Sequence, residues 1–258
     1  LSFLNANSFY HSFGSLIHEN SHFLVLGNKY KSLTSLILEI GLSSFGEHVK
    51  YEYSHIRKHH VSLNIKNIDS ECTNDGHMST LLNITNNIYI NRIFYLIDLL
   101  PLGSILIQEY MKSKIKNKYY IILNETDKFY HNLLRLVSLF IFLYLIYYKF
   151  YKMILFKIWT LSIYQGKFSI FRRGQSISEH YVENYNSNIP TQSTYGLIEN
   201  LFGFNTGYHD EHHTFPLVSW YYLPSIKKIA PEYFNNENKL SYLKLWYRWF
   251  KSDFKKTY

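Results

Sequence analysis

The 258-residue chain has one cysteine, Cys72, which excludes a disulfide framework and a cysteine-built zinc site. No G-x-G-x-x-G run is present, so a nicotinamide dinucleotide is not expected to bind here. The apolar start lacks a positively charged leader, so no signal peptide is expected. Mean hydropathy is only −0.19, which argues against a plain bundle of long apolar spans. The net charge of +8 is spread along the chain without a recognition module, so no nucleic-acid partner is expected. Lys and Arg held on the cytosolic side of a membrane protein account for that excess.

Aromatic residues are plentiful: 25 Tyr and 19 Phe bring them to 19% of the chain, a composition that suits a membrane interface. Tyr144–Tyr151 in particular reads as interface or lipid-facing surface. Histidine falls in three clusters: His18-Glu-Asn-Ser-His22, His55-Ile-Arg-Lys-His59-His60 and His209-Asp-Glu-His212-His213. Residues three and four apart share a helix face, so each cluster aims two or three imidazoles into one space. Eight such nitrogens are enough for two metal ions and too many for one. Imidazole suits iron, copper, zinc and nickel. A His-only site differs from the Glu-rich di-iron sites of soluble bundles and suits O₂ chemistry on an unactivated carbon.

The expected fold is an all-α integral membrane protein, with transmembrane helical hairpins and a cytosolic helical cap around the His-ligated di-metal site. It reads as a single membrane domain over 1–258. Residues 1–22 hold the end of a span and the first cluster. Residues 33–80 hold an apolar segment too short to span, lying at the interface or re-entrant, and the second cluster. Residues 81–130 give an amphipathic helix and a Lys-rich linker. Residues 132–171 are apolar enough for two spans joined by a turn near Lys149 and Lys152. Residues 172–258 form the cap with the third cluster. Two spans between the second and third clusters keep all three on one side of the membrane. The chain begins at Leu1 without Met and is expected to be N-terminally incomplete. The sequons at Asn83 and Asn124 then face the cytosol and stay unused.

Around the third cluster the sequence becomes more specific. Ser178-Glu-His180-Tyr181, then Phe204-Asn-Thr-Gly-Tyr208-His209-Asp-Glu-His212-His213-Thr-Phe215-Pro216, then Lys228-Ile-Ala-Pro-Glu-Tyr233, resemble the sphingolipid Δ4-desaturases, the dihydroceramide desaturases. The wider pattern of His boxes resembles the integral-membrane fatty-acid desaturase superfamily. The resemblance implies two iron ions, O₂, and electrons from NAD(P)H through cytochrome b5 and its reductase. It implies an endoplasmic reticulum membrane location with the boxes facing the cytosol. The implied reaction is loss of hydrogen from C4 and C5 of the sphinganine part of dihydroceramide, giving ceramide. It also makes His180 a ninth ligand beside His18, His22, His55, His59, His60, His209, His212 and His213. A C4-hydroxylase or an acyl-chain desaturase of the same superfamily is the nearest alternative, and a metal-binding protein without turnover is a further one.

Two departures from the family stand out. In the first, Gly174-Gln175 replaces a Gly-His pair and, just before it, Phe171-Arg172-Arg173 replaces an apolar stretch containing His-Pro. In the second, the second box reads HIRKHH, with Arg57 and Lys58 expected to point away from the helix face shared by His55, His59 and His60. Asp69 and Glu71 fall where the family has a short acidic loop, and are expected beside the ligands or at the lipid headgroup. His11 lies two helical turns before His18 on the same face, either supporting the ligands or packed as an isolated polar residue. Glu19 and Glu211 adjoin ligands and either accept imidazole N–H bonds or sit in solvent. Asn205 is expected in a turn. His48, His77 and His131 have no partner at metal spacing and are expected at the surface or in loops.

Overall fold

Asn124 shows why the longest helix begins where it does. Its side-chain oxygen accepts from Asp127 N at 2.8 Å, and Glu125 and Asp127 occupy the first turn, where the helix dipole favours negative charge. The computed structural model describes residues 1–63, 65, 68, 69, 71, 87–107, 123–180 and 191–251. Cys72, His77, Asn83, Tyr181 and part of the expected 81–130 segment lie outside the described residues.

The described chain is helical, with one isolated bridge between Ser193 and Glu237. In order, the helices are α1 (Ser2–Asn7), α2 (Phe9–Ser21), α3 (Lys31–Leu42), α4 (Glu47–Ser54), α5 (Ile88–Ile97), α6 (Glu125–Tyr147), α7 (Tyr151–Gln165), α8 (Ile170–His180), α9 (Leu197–Gly203), α10 (His209–Thr214), α11 (Leu223–Ile229) and α12 (Tyr242–Lys251). The stretch expected as the end of one span is two helices, because the backbone breaks at Ser8 (φ −125°, ψ −89°).

The apolar stretch expected to make two spans folds as α6, a turn and α7. Lys149 takes the left-handed conformation at that turn, with φ 58°. Among the described residues, only α6, at 23 residues, is long and apolar enough to cross a membrane. Leu136, Phe140, Leu143 and Tyr147 project from it exposed. With 15 residues, α7 falls short of the about 20 a span needs. It ends where two cations catch its last carbonyls. Arg173 Nε donates to Gly166 O at 3.1 Å and its Nη2 to Gln165 O, while Arg172 Nη1 donates to Tyr164 O at 3.2 Å.

α2 lies at the centre of the packing. Tyr10 and Ile17 meet Leu38 and Leu42 of α3 and Leu161 of α7 in one buried cluster. A second cluster joins Ile177 of α8 to Leu245 and Trp249 of α12. Gly174 permits that crossing, because a Cβ there would collide with the Tyr242 backbone. At the end of the amphipathic α5, Asp98 is buried against Lys167 in the α7–α8 linker, with Nζ 3.4 Å from Oδ2. Lys167 N also donates to the same carboxylate at 3.3 Å.

Removing one partner of a buried pair strands the other charge. Asp98→Ala is therefore expected to cost about 3–5 kcal/mol, read as a large fall in the thermal midpoint in detergent. Asp98→Leu with Lys167→Met should recover most of it. Unchanged melting in the single variant would contradict this reading of the pair.

Candidate metal centre

α2 presents His18 and His22 from one face, as their i,i+4 spacing dictates. The second cluster departs from the expected single helical face. α4 runs into a π-turn over His55–His59, closed by His60 N donating to His55 O at 3.0 Å. Widening the turn aligns residues five apart rather than four. His55 and His60 therefore converge, with Nε2 atoms 3.1 Å apart, while His59 points to the other side. α10 supplies His209, His212 and His213, and His180 is the last residue of α8. The turn into α10 places Phe204 and Asn205 in the left-handed region, φ 51° and 57°. Asn205 Nδ2 donates to Trp220 O at 3.2 Å, in keeping with its expected turn role.

All nine predicted histidines come together, in two groups. The ligand atoms of His18, His22, His55, His60 and His212 lie within 4.8 Å of one another. Nε2–Nε2 distances are 3.2 Å for His22–His55 and 3.2 Å for His60–His212. The second group is His59, His209 and His213, where His213 Nε2 lies 3.1 Å from both the others. His180 stands beside it, its ring centroid 4.6 Å from that of His59 and 4.8 Å from that of His209. The π-turn thus divides the second cluster between both groups.

Two carboxylates orient these rings. His55 Nδ1 meets Glu71 Oε1 at 2.9 Å and His59 Nδ1 meets Asp69 Oδ1 at 2.9 Å. Glu71 N donates to Asp69 at 2.8 Å, fixing the pair. A proton held at Nδ1 leaves the Nε2 lone pair facing inward. Glu211 is buried, but it accepts from Ser193 Oγ at 2.6 Å and Tyr195 OH at 2.7 Å rather than from an imidazole. Glu19, also buried, accepts from Trp220 N at 3.2 Å and stays 3.6 Å from His18 Nδ1.

Sequence reasoning passed over Glu179. Its carboxylate lies 3.7 Å from His209 Nδ1 and 3.9 Å from His180 Nε2, and Gln175 Nε2 donates to it at 2.8 Å. Burial raises its pKa well above the ordinary carboxylate value. Its adjacency to His180 was the available signal. Gln175, part of the first departure, holds this acid. Arg172-Arg173, in the same departure, caps α7.

His48 and His131 are buried, which corrects their expected surface placement. His48 Nδ1 lies 3.1 Å from Glu39, and His131 Nδ1 lies 2.9 Å from Gly46 O. The signal for His48 was its place two turns before His55, the same offset that separates His11 from His18. Glu39 also accepts from Ser44 Oγ at 2.8 Å, Gly46 N at 3.2 Å and Ser138 Oγ of α6. It thereby ties α3, α4 and α6 together just before the second cluster.

Burial, then the neighbouring imidazoles, pushes His22 down to about 2 and His60 and His180 down to about 3. His55, His209, His212 and His213 shift the same way. His59 alone is shifted upward: burial opposes this, but Glu71 and Asp69 outweigh it. Neutral imidazoles are the metal-binding form. An imidazole nitrogen binds a first-row metal at about 2.1 Å, so two ligands near a right angle stand roughly 3 Å apart. The Nε2 spacings of 3.1–3.2 Å fit a cation at the middle of each group. Without one, inward lone pairs would face each other.

A histidine kept neutral in the fold protonates more readily once unfolded. Stability then falls as pH drops through about 6.5 toward the lower folded values. His59 acts in the opposite sense, but seven shifts outnumber it. The thermal midpoint of metal-free protein should fall between pH 7 and pH 5; a flat profile would contradict this. Asp69→Ala should weaken metal retention about 10- to 100-fold, measured by chelator competition. Retention equal to wild type would show that the carboxylate does not serve the ligands.

The profile of the fatty acid desaturase family matches residues 1–246. A stretch of 63 residues is 46% identical to sphingolipid delta(4)-desaturase/C4-monooxygenase DES2 of Mus musculus, covering 24% of this chain and 19% of that protein. Sphingolipid delta(4)-desaturase DES1-like of Oryza sativa subsp. japonica is 48% identical over 63 residues, 24% of this chain and 18% of its own. The corresponding values for sphingolipid delta(4)-desaturase DES1 of Gallus gallus are 48%, 63 residues, 24% and 19%. No solved structure matches the chain. With the His boxes, their geometry and a profile match over most of its length, the chain belongs to the fatty acid desaturase family.

Proposed function

We propose that this protein is a membrane-bound, O₂-dependent desaturase that introduces the C4–C5 double bond into the sphingoid base of dihydroceramide, giving ceramide. The observation that carries this is the convergence of nine histidines into two groups, in a chain similar to sphingolipid delta(4)-desaturases. His18, His22, His55, His60 and His212 would hold one iron, and His59, His180, His209 and His213 the other. Bound iron would supply O₂ activation and hydrogen removal from an unactivated carbon.

The chain's own residues do the rest. Asp69 and Glu71 keep Nδ1 protonated on His59 and His55, so both rings present Nε2 inward. Burial of seven of the nine rings limits the access of water to the site. The lipid loses two hydrogens, and with two electrons and two protons from the carrier chain O₂ leaves as two waters. Those electrons come from NAD(P)H through cytochrome b5 and its reductase. α6 crosses the endoplasmic reticulum membrane, α7 returns beside it, and the cap with its His groups faces the cytosol.

C4 hydroxylation is the second reading, favoured by the double name of the mouse relative. Sphingoid-base mass spectrometry separates them, in cells lacking their own Δ4-desaturase and with His209→Ala as control. A new base two mass units lighter than sphinganine, with its double bond at C4 and absent from the control, is the expected result. A product sixteen units heavier would establish the hydroxylase instead. No product from well-expressed protein would overturn both.

A further inference from the structure

His11, Ser15, His18 and His22 fall at i, i+4, i+7 and i+11 of α2 and form one stripe. The last two end in the first histidine group. The first two continue the stripe, with His11 about 10 Å farther along the axis than His18, and they join no metal group. His11 is 2% exposed, and its Nε2 has no hydrogen-bond partner. Opposite it, the turn leaving α9 brings up Gly203 and Thr206. Thr206 is 4% exposed and its Oγ1 is likewise unpartnered.

The three side chains surround one place. The point where a Cβ on Gly203 would stand is 2.7 Å from Thr206 Oγ1, 3.7 Å from His11 Nε2 and 3.9 Å from Ser15 Oγ. Ser15 Oγ makes only a long bond, 3.4 Å, to His11 O. Ser12 Oγ, donating to Phe202 O at 2.7 Å, clamps α2 to α9 beside the cradle. The neighbouring cation, Arg172, is engaged by Tyr164, through its carbonyl at 3.2 Å and its ring. Two hydroxyls and an imidazole suit a neutral O–H, which both donates and accepts. Buried polar atoms left without partners call for such an occupant.

We propose that His11, Ser15 and Thr206 form a cradle for a hydroxyl group of the lipid substrate, and that this contact sets which carbon reaches the metal-facing imidazoles. The assignment rests on the sphingolipid reading above. A sphingoid base carries hydroxyls at C1 and C3, a few bonds from the carbons to be desaturated. The stripe on α2 places the cradle in line with the first His group, about two turns along the helix.

The test is equilibrium binding to the full-length protein in detergent, followed by tryptophan fluorescence. The probes are dihydroceramide and its 1-deoxy and 3-deoxy analogues. Wild type should bind dihydroceramide roughly tenfold tighter than one of the analogues. Thr206→Val, which keeps the shape and removes the hydroxyl, should erase that preference while leaving the affinity for the same analogue unchanged. Gly203→Ala, which fills the cradle, should do the same. Melting and metal content serve as folding controls. A preference that survives Thr206→Val, as a fixed water in the cradle would give, overturns the proposal. Equal losses for all three lipids overturn it as well, because they indicate packing alone. Wild type that binds all three equally overturns the cradle but not the sphingolipid reading. Wild type that binds none of them overturns both.

Discussion

Everything near the centre answers one demand: nine imidazoles, seven of them buried, must meet in two groups. Burial makes charge costly and favours the neutral form in seven of them, while Glu71 and Asp69 shift His59 the other way. It does not choose which ring nitrogen faces the centre. For His55 and His59 that choice falls to Glu71 and Asp69, whose backbone link through Glu71 N makes them one unit. The π-turn meets the same demand at the level of the backbone, since an ordinary helix could not send His59 away from His55 and His60.

The surrounding helices hold this arrangement from several directions. Glu39 draws α3, α4 and the long α6 into one hydrogen-bonded knot, and α4 feeds directly into the π-turn. Asp98 and Lys167 fasten α5 to the linker that starts α8, the helix ending in His180. α12 then seals α8 from outside, at a distance that only Gly174 allows. Each fastening is polar or close-packed and directional, so a small displacement of one helix would be felt at the rings.

Much of this was legible in the sequence. Helical class, the three clusters and the extra His180 follow from short local patterns: i,i+4 spacing, apolar runs and a recognisable box. The burial of His131 could not be read that way, because its partner Gly46 is 85 residues away in the chain, whereas His48 carried a signal only in its spacing from His55. Glu179 showed only its adjacency to His180, since its other neighbour, His209, reaches it from another helix. The π-turn leaves no mark in composition, and HIRKHH reads as ordinary helix until His60 N is seen to bond to His55 O. The second half of the apolar hairpin is a shorter helix than its apolar run suggested, 15 residues in α7. Hydropathy reports where a chain tolerates lipid, and says nothing of side chains farther on that can stop a helix early.

Those side chains are Arg172 and Arg173. The carboxyl end of a helix normally leaves its last carbonyls to water. Here two guanidinium groups from the following segment stand in for that water at Tyr164, Gln165 and Gly166. α7 thus carries its own polar terminus with it and need not reach an aqueous boundary before it stops. The chain can reverse wherever the arginines meet it, so the start of α8, and with it His180, is placed by a contact inside the protein rather than by the thickness of whatever surrounds it.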